Sequence, residues 1–129
     1  MFSLLISLIL TVVVLVVVIW SGASRRRSLH YGAVVALFAA LTWAIYEAET
    51  YGRGLVFEGA AEVVKQIHFA GVAIVFLAIP VLVVTGVRLA KDDSMRPMHL
   101  SVAKFFVVMV LITCALGTAM TMMAEPLVP

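Results

Sequence analysis

The chain has 129 residues, of which 64% are hydrophobic and 12% are charged, and its formal net charge is +2. A water-soluble domain of this size could not cover so many apolar side chains with polar surface, so we predict an integral membrane protein. The small net charge gives no reason to expect nucleic acid as a partner. The single cysteine excludes an intrachain disulfide.

Four apolar stretches are each long enough to cross the roughly 30 Å hydrocarbon layer as a helix. They predict spans at about residues 2–21, 28–47, 66–89 and 98–122 within one membrane domain covering residues 1–129. These stretches are too long for the strands of a membrane barrel, and they lack its alternation. The expected fold class is therefore all-α, an integral membrane four-helix antiparallel bundle.

The first span is followed by Arg25, Arg26 and Arg27, and no basic residue precedes its apolar core, so we expect a retained span. Basic residues gather after spans one and three, whereas only Arg53 and Lys65 lie between spans two and three. The positive-inside rule then places connections one and three in the cytoplasm and both termini on the outer side. We expect a multi-pass protein of a prokaryotic cytoplasmic membrane, with the arginines meeting lipid head groups.

Span two carries a small residue at every fourth position, which predicts close packing against a neighbouring helix. The positions are Gly32, Ala36, Ala40 and Ala44. The outer loop that follows, residues 47–65, is expected to contain a short interfacial helix over the segment "EGAAEVVKQ".

Spans two, three and four share a repeat in which a histidine precedes a small residue by eighteen positions. The pairs are His30 and Ala48, His68 and Gly86, and His99 and Gly117. Eighteen residues make five helical turns, so each pair lies on one face. Since the spans alternate in direction, His30 and His99 are expected at the cytoplasmic end, level with Gly86. His68 is expected at the outer end, level with Gly117.

This pattern suits a flat ligand held between helices. We predict that His30 and His99 are the axial ligands of the iron of one haem b, while Gly86 and Gly117 leave room for the porphyrin edge. Histidines at the rim of a span that bond to water, and glycines that merely allow close packing, are the alternative interpretation.

His68 has no second histidine at its level, so its partner is open. Met120 could complete a second haem site, and the methionines Met120, Met122 and Met123 could instead hold copper, which is the weaker hypothesis. Glu47 follows His30 by seventeen residues and so lies on nearly the same face. A pair of His68 and Glu47 could bind a quinone head group or pass protons.

The run from His68 to Gly117, with "IHFAGVAIVFLAIP" and "MHLSVAKFF", resembles the superfamily of transmembrane b-type cytochromes. More narrowly, residues 24–123, including "YGRGLVFEG", are similar to small membrane proteins of the YozB/CtaM type, which are associated with maturation of haem-copper oxidases. That resemblance implies a helper protein in a respiratory membrane. The family has histidines where this chain has Ser24 and near Tyr46, so His68 and His99 carry over, and His30 is not a family position.

Two functions are therefore expected. The first is a small b-type cytochrome-like protein that holds haem for electron transfer or haem handling in a respiratory complex. The second is a cofactor-free structural or assembly subunit of a larger oxidase-type membrane complex. No motif indicates an enzyme with its own substrate, and we expect no catalytic residues.

Overall fold

Four long α-helices make up most of the protein, whose residues 2–127 are described by a computed structural model. The helices are α1 (Phe2–Ala23), α2 (Arg27–Gly52), α3 (Ala60–Lys91) and α4 (Arg96–Met123). Each contains a segment long and apolar enough to cross a membrane. The all-α class is thus confirmed, and each predicted span falls on one of these four candidate membrane-spanning helices. Residues 1, 128 and 129 of the predicted domain lie outside the described residues, and the orientation of the termini stays a prediction.

The remaining elements are short. Two-residue strands, β1 (Leu55–Val56) and β2 (Glu125–Pro126), form a two-stranded sheet, and one turn of 3-10 helix covers Asp93–Met95. The separate interfacial helix predicted over "EGAAEVVKQ" is wrong, because residues from Ala60 onward are the first turns of α3. No glycine or proline interrupts the sequence between Ala60 and Gly71, so the helix continues without a break.

Contacts divide the chain into two compact units, Met1–Leu55 and Val56–Pro129. The first unit consists of α1 packed on α2, and the second consists of α3 packed on α4. Each unit is described by itself below. The prediction of one membrane domain and one bundle for the whole chain stays a prediction.

In the first unit, small or hydroxyl-bearing residues, together with one leucine on each helix, line the buried faces. They are Ser7, Thr11, Leu15 and Ser21 on α1, and Ala33, Leu37, Ala40 and Ala44 on α2. Small side chains let two apolar helices approach closely, which favours their association where the surroundings are also apolar. The buried hydroxyls donate to carbonyls of their own helix, as Thr11 does to Ser7 at 2.8 Å, so their polar groups are satisfied.

Two of the four small residues predicted to pack against a neighbouring helix are buried within the first unit, and for the other two such packing stays a prediction. Ala40 and Ala44 are buried, but Gly32 and Ala36 are exposed. A row with one residue in every four drifts about 40° per step around a helix with 3.6 residues per turn. The buried stripe therefore steps from Ala33 through Leu37 instead, and Gly32 and Ala36 turn away from it.

In the second unit, α3 and α4 run antiparallel, since the start of each helix contacts the end of the other. Their buried residues are Ala61, Gly71, Val75, Ala78 and Thr85 on α3, and Phe106, Val110 and Thr113 on α4. In the turn between them, the Asp92 carboxylate accepts from the Ser94 backbone N–H at 2.9 Å and from the Ser94 hydroxyl at 2.8 Å. These two hydrogen bonds lower the pKa of the Asp92 carboxyl.

One turn from His68, α3 and α4 approach each other closely where Gly71 faces Thr113. A methyl group added to Gly71 would lie 2.9 Å from the Thr113 hydroxyl oxygen. That hydroxyl is buried, and within residues 2–127 it has no hydrogen-bond partner. It fills the space that the glycine leaves open, so α3 and α4 can pack close together at this level.

We predict that Gly71→Ala lowers the free energy of unfolding by roughly 1 to 3 kcal/mol, because the added methyl group overpacks against Thr113. Gly32→Ala is the matched control, since a methyl group there meets nothing within 4 Å. Titration with SDS in mixed micelles, followed by circular dichroism, measures both. Adding Thr113→Ala to Gly71→Ala should restore stability. Equal stability of Gly71→Ala and Gly32→Ala would contradict the contact.

Candidate site: three histidines seated on glycines

Each of the three histidines lies against a glycine of the neighbouring helix in its own unit. A methyl group added to Gly22 would lie 3.2 Å from Cε1 of the His30 ring. The corresponding distance is 3.4 Å from Gly86 to His99, and it is 2.9 Å from Gly117 to His68. A side chain larger than hydrogen would thus crowd each ring, most severely at Gly117. We call each of these ring contacts a glycine seat.

A second feature of each seat is an acceptor for the ring nitrogen Nδ1. In His68 this atom lies 2.9 Å from the Thr113 carbonyl oxygen. In His30 it lies 3.1 Å from the Val18 carbonyl oxygen and 3.3 Å from the Ser21 hydroxyl. Since a carbonyl oxygen can only accept, both of these rings carry their proton on Nδ1.

The same conclusion holds for His99 by a different route. Its Nδ1 lies 3.0 Å from the Thr85 hydroxyl oxygen. That hydroxyl already donates to the Val81 carbonyl at 2.8 Å, so its oxygen accepts from the imidazole. All three rings therefore hold the proton on Nδ1 and keep the lone pair on Nε2. A neutral imidazole in this state can bind a metal ion or accept a hydrogen bond through Nε2.

Two glycine seats lie at opposite ends of the α3–α4 pair. His68 on α3 contacts the end of α4, and His99 on α4 contacts the end of α3. The eighteen-residue offset makes this arrangement two-fold symmetric, and it separates the seats by about 27 Å along the helices. That distance is close to the roughly 30 Å of the hydrocarbon layer. Within this unit, the structure brings together the residues that the offset predicted.

The seats differ from the sequence prediction in what the glycines face. Gly86 and Gly117 contact the imidazole rings, whereas the sequence suggested room for a porphyrin edge. Ala48 was predicted to share the face of His30 at the other end of the same helix. The glycine against the His30 ring is Gly22 of α1, which the sequence analysis did not single out. Whether a porphyrin also contacts these glycines stays a prediction.

The first unit repeats the second, and the sequence reasoning missed this relation. Residues 4–22 of α1 correspond to residues 68–86 of α3, and residues 30–48 of α2 correspond to residues 99–117 of α4. Buried residues coincide at five positions of this alignment: Ser7 with Gly71, Thr11 with Val75, Ser21 with Thr85, Leu37 with Phe106, and Ala44 with Thr113. The two helix pairs therefore use the same packing faces.

The contacts around His30 and His99 agree closely with this alignment. Each glycine follows a hydroxyl residue, Ser21 or Thr85. The Ser21 hydroxyl donates to the carbonyl three residues earlier at 3.0 Å. The Thr85 hydroxyl shares its one proton between the Val81 carbonyl and the equivalent carbonyl three residues earlier, the latter at 3.1 Å. Both hydroxyl oxygens also lie within 3.3 Å of the Nδ1 atom of the seated histidine. The dipeptides Ser21-Gly22 and Thr85-Gly86 are the sequence signal that could have identified the first seat.

The repeat breaks at its other end. Leu4 stands where α3 has His68, and Ala48 stands where α4 has Gly117. The chain thus has three of the four possible histidines. Two of them, His30 and His99, occupy equivalent positions, and His68 has no equivalent.

The other residues predicted around His68 differ in burial and in the contacts they make. Met120 is half-buried one turn beyond Gly117, whereas Met122 and Met123 are exposed. Glu47 accepts a hydrogen bond from the Trp43 indole on its own helix at 3.1 Å. Among residues 2–127 no group of three or more His, Cys, Asp and Glu side chains could hold a metal ion.

Two predicted pairings join residues of different units: His30 with His99, and His68 with Glu47. Both stay predictions. No family model, no curated protein and no solved structure matches the chain. The resemblance to b-type cytochromes and to the YozB/CtaM type also stays a prediction.

We predict that NMR of the cofactor-free protein, with 15N-labelled histidine and at a pH above the ordinary histidine pKa, finds a protonated Nδ1 and an unprotonated Nε2 in all three rings. Gly117→Ala should displace the His68 ring and change its resonances most. Gly32→Ala is the control and should change none. A proton on Nε2 in two or more rings would contradict the geometry.

Proposed function

We propose that this chain is a small membrane b-type cytochrome-like protein that holds haem b through Nε2 of His30 and His99. Its role would be electron transfer or haem handling for a larger respiratory complex in the cytoplasmic membrane of a prokaryote. The observation that supports this most is the fixed state of the rings. Each histidine bonds to an acceptor through its Nδ1 proton, so the lone pair of the ring is on Nε2, the atom through which a neutral imidazole binds a metal.

The donor set fits the iron of a haem. Iron ligands in this class are neutral imidazoles whose second nitrogen donates to a carbonyl, hydroxyl or carboxylate, because that bond fixes the ring and raises its basicity. Ser21 and Val18 serve His30 in this way, and Thr85 serves His99. Each glycine seat further restricts the ring, since the imidazole packs on a helix backbone without an intervening side chain.

The internal repeat supports His30 and His99 as the pair. They hold equivalent positions in the two helix pairs, with an equivalent hydroxyl residue and an equivalent glycine beside them. In a four-span chain the first and third connections lie on the same side of the membrane, and each of these histidines follows one of those connections. Two equivalent imidazoles from a repeated unit would suit a haem iron that takes two protein ligands of the same kind.

When bound, haem would supply a one-electron couple between Fe(II) and Fe(III). The protein would hold each imidazole at a set orientation through Ser21, Val18 or Thr85. Its apolar helices would exclude water from the ligand atoms and so influence the potential. Under this proposal, no residue of the chain needs to transfer a proton or form a covalent intermediate.

His68 would belong to a second site, for which this proposal leaves three candidate ligands. Its seat on Gly117 and its bond to the Thr113 carbonyl give it the same available Nε2. Met120 is the candidate second ligand for a further haem, or a thioether ligand for copper. A quinone head group is the remaining candidate, since Nε2 can accept a hydrogen bond from a hydroxyl.

The test replaces each histidine by asparagine in the full chain, produced with adequate haem supply. Asparagine can place an amide N–H near the position of Nδ1, but it has no counterpart of Nε2. We predict that His30→Asn and His99→Asn each abolish most of the bound haem, measured by the pyridine haemochrome assay. His68→Asn is the matched control and should keep about one haem per chain.

Circular dichroism and the resonances of the two remaining histidines serve as folding controls for each variant. Equal haem content in wild type, His30→Asn and His99→Asn would contradict the proposed ligands. Loss of haem in His68→Asn alone would move the site to the other end of the α3–α4 pair.

A cofactor-free subunit of an oxidase-type complex is the second candidate, and the exposed faces favour it. Gly32 and Ala36 leave an exposed strip of small residues on α2, where a partner helix could approach closely. Large apolar side chains are also exposed, including Val35 at 70% and Leu77 at 71%. Absence of haem in the wild-type protein would make this candidate the better one, with the glycine seats acting only as contacts between helices.

A further inference from the structure

The turn between α1 and α2 has a backbone geometry that normally selects glycine. Arg25 has a φ of +55°, in the left-handed region. The backbone N–H of Arg26 donates to the Ser21 carbonyl at 3.0 Å, and that of Arg25 donates to the Gly22 carbonyl at 3.3 Å. This pair of bonds is a Schellman motif, in which glycine commonly occupies the left-handed position. An arginine costs more conformational free energy than a glycine at this position, so the backbone does not explain why an arginine is present.

The charges around the turn point to an anion. Arg25 and Arg26 are exposed, and no acidic residue precedes Glu47 in the sequence. The guanidinium carbon of Arg26 lies 4.9 Å from the centroid of the Trp20 ring. That cation–π contact holds the Arg26 guanidinium beside the last full turn of α1. Trp20 is itself half-exposed, at 49%.

The surroundings of these two arginines favour a lipid as the source of the anion. Tryptophan is enriched where the hydrocarbon layer meets the head groups. Exposed apolar residues, Val16 and Ile19, precede Trp20 on α1 and would contact acyl chains in a membrane. Guanidinium groups bind phosphate through two parallel hydrogen bonds, and anionic head groups attract basic clusters next to a span.

We propose that Arg25 and Arg26, with Trp20 beside them, form a binding site for the phosphate of an anionic phospholipid at the α1–α2 turn. This site does not depend on haem. The site differs from general anchoring by positive charge, because Arg25 is held in a left-handed backbone conformation that favours glycine. Arg25 would contact the phosphate, while Trp20 sets the depth and holds the Arg26 guanidinium in place.

The experiment compares Arg25→Gly with wild type in the full chain. Native mass spectrometry of detergent-solubilised protein measures binding of phosphatidylglycerol and of phosphatidylcholine. Glycine suits the left-handed position, so we expect Arg25→Gly to raise the thermal stability in lipid-free detergent and to lower the phosphatidylglycerol affinity several-fold. A rise in thermal stability together with a fall in lipid affinity shows that the variant has lost its ligand and not its fold.

Arg53→Gln is the matched control, since it removes the same charge from an arginine that pairs with Glu49 at 2.6 Å. It should leave the phosphatidylglycerol affinity unchanged. Arg26→Gln should lower that affinity as Arg25→Gly does. Unchanged affinity in both turn variants would overturn the proposal, as would an equal loss in Arg53→Gln. Full displacement of the lipid by millimolar inorganic phosphate would also overturn it, because the site would then be a general anion site.

Discussion

The contact on which the described fold and the proposed site both depend is the imidazole ring packed on a glycine of the neighbouring helix. An apolar environment makes an unpaired ring N–H costly, so a histidine in such a helix needs an acceptor within reach. Helix backbones offer carbonyl oxygens, but these are normally shielded by side chains. The shield is absent at Gly22, Gly86 and Gly117. A carbonyl or hydroxyl oxygen near each glycine then accepts a hydrogen bond from Nδ1.

The same contact links packing to chemistry. By binding Nδ1, each seat fixes the tautomer and leaves the lone pair on Nε2, which is the atom a metal would use. The seat also joins the end of one helix to the start of its partner in the same unit. A histidine–glycine pair can therefore stabilise a helix pair and prepare a ligand with one set of contacts.

The internal repeat explains why the three histidines are not equivalent. His30 and His99 each follow a turn and lie beside a hydroxyl–glycine dipeptide. His68 has no hydroxyl residue beside its glycine, since Leu116 precedes Gly117, and the position that matches His68 in the first unit is Leu4. Under the haem proposal, one pair of equivalent histidines and one single histidine favour a single main site over two alike.

Much of the fold could be predicted from sequence, because hydrophobic length alone identifies a membrane helix. The eighteen-residue offset predicted that His68 lies level with Gly117 and His99 with Gly86, since a whole number of turns keeps both ends on one face. The contact of each ring with its glycine was not predicted. Gly22 could not be found in that way, because Leu4 stands eighteen residues before it in place of a histidine. Gly32 and Ala36 lie off the buried stripe of α2, because residues spaced strictly four apart drift around the helix.

The most direct test of the central proposal is the absorption spectrum of the purified wild-type protein, produced with ample haem, in its reduced and oxidised states. We predict a reduced-minus-oxidised difference with a b-type α band, and an oxidised form that is low-spin by electron paramagnetic resonance, as two imidazole ligands require. A protein that folds with all three rings protonated on Nδ1 but shows no Soret band would contradict the haem proposal. The glycine seats would then be contacts that only hold the helices together.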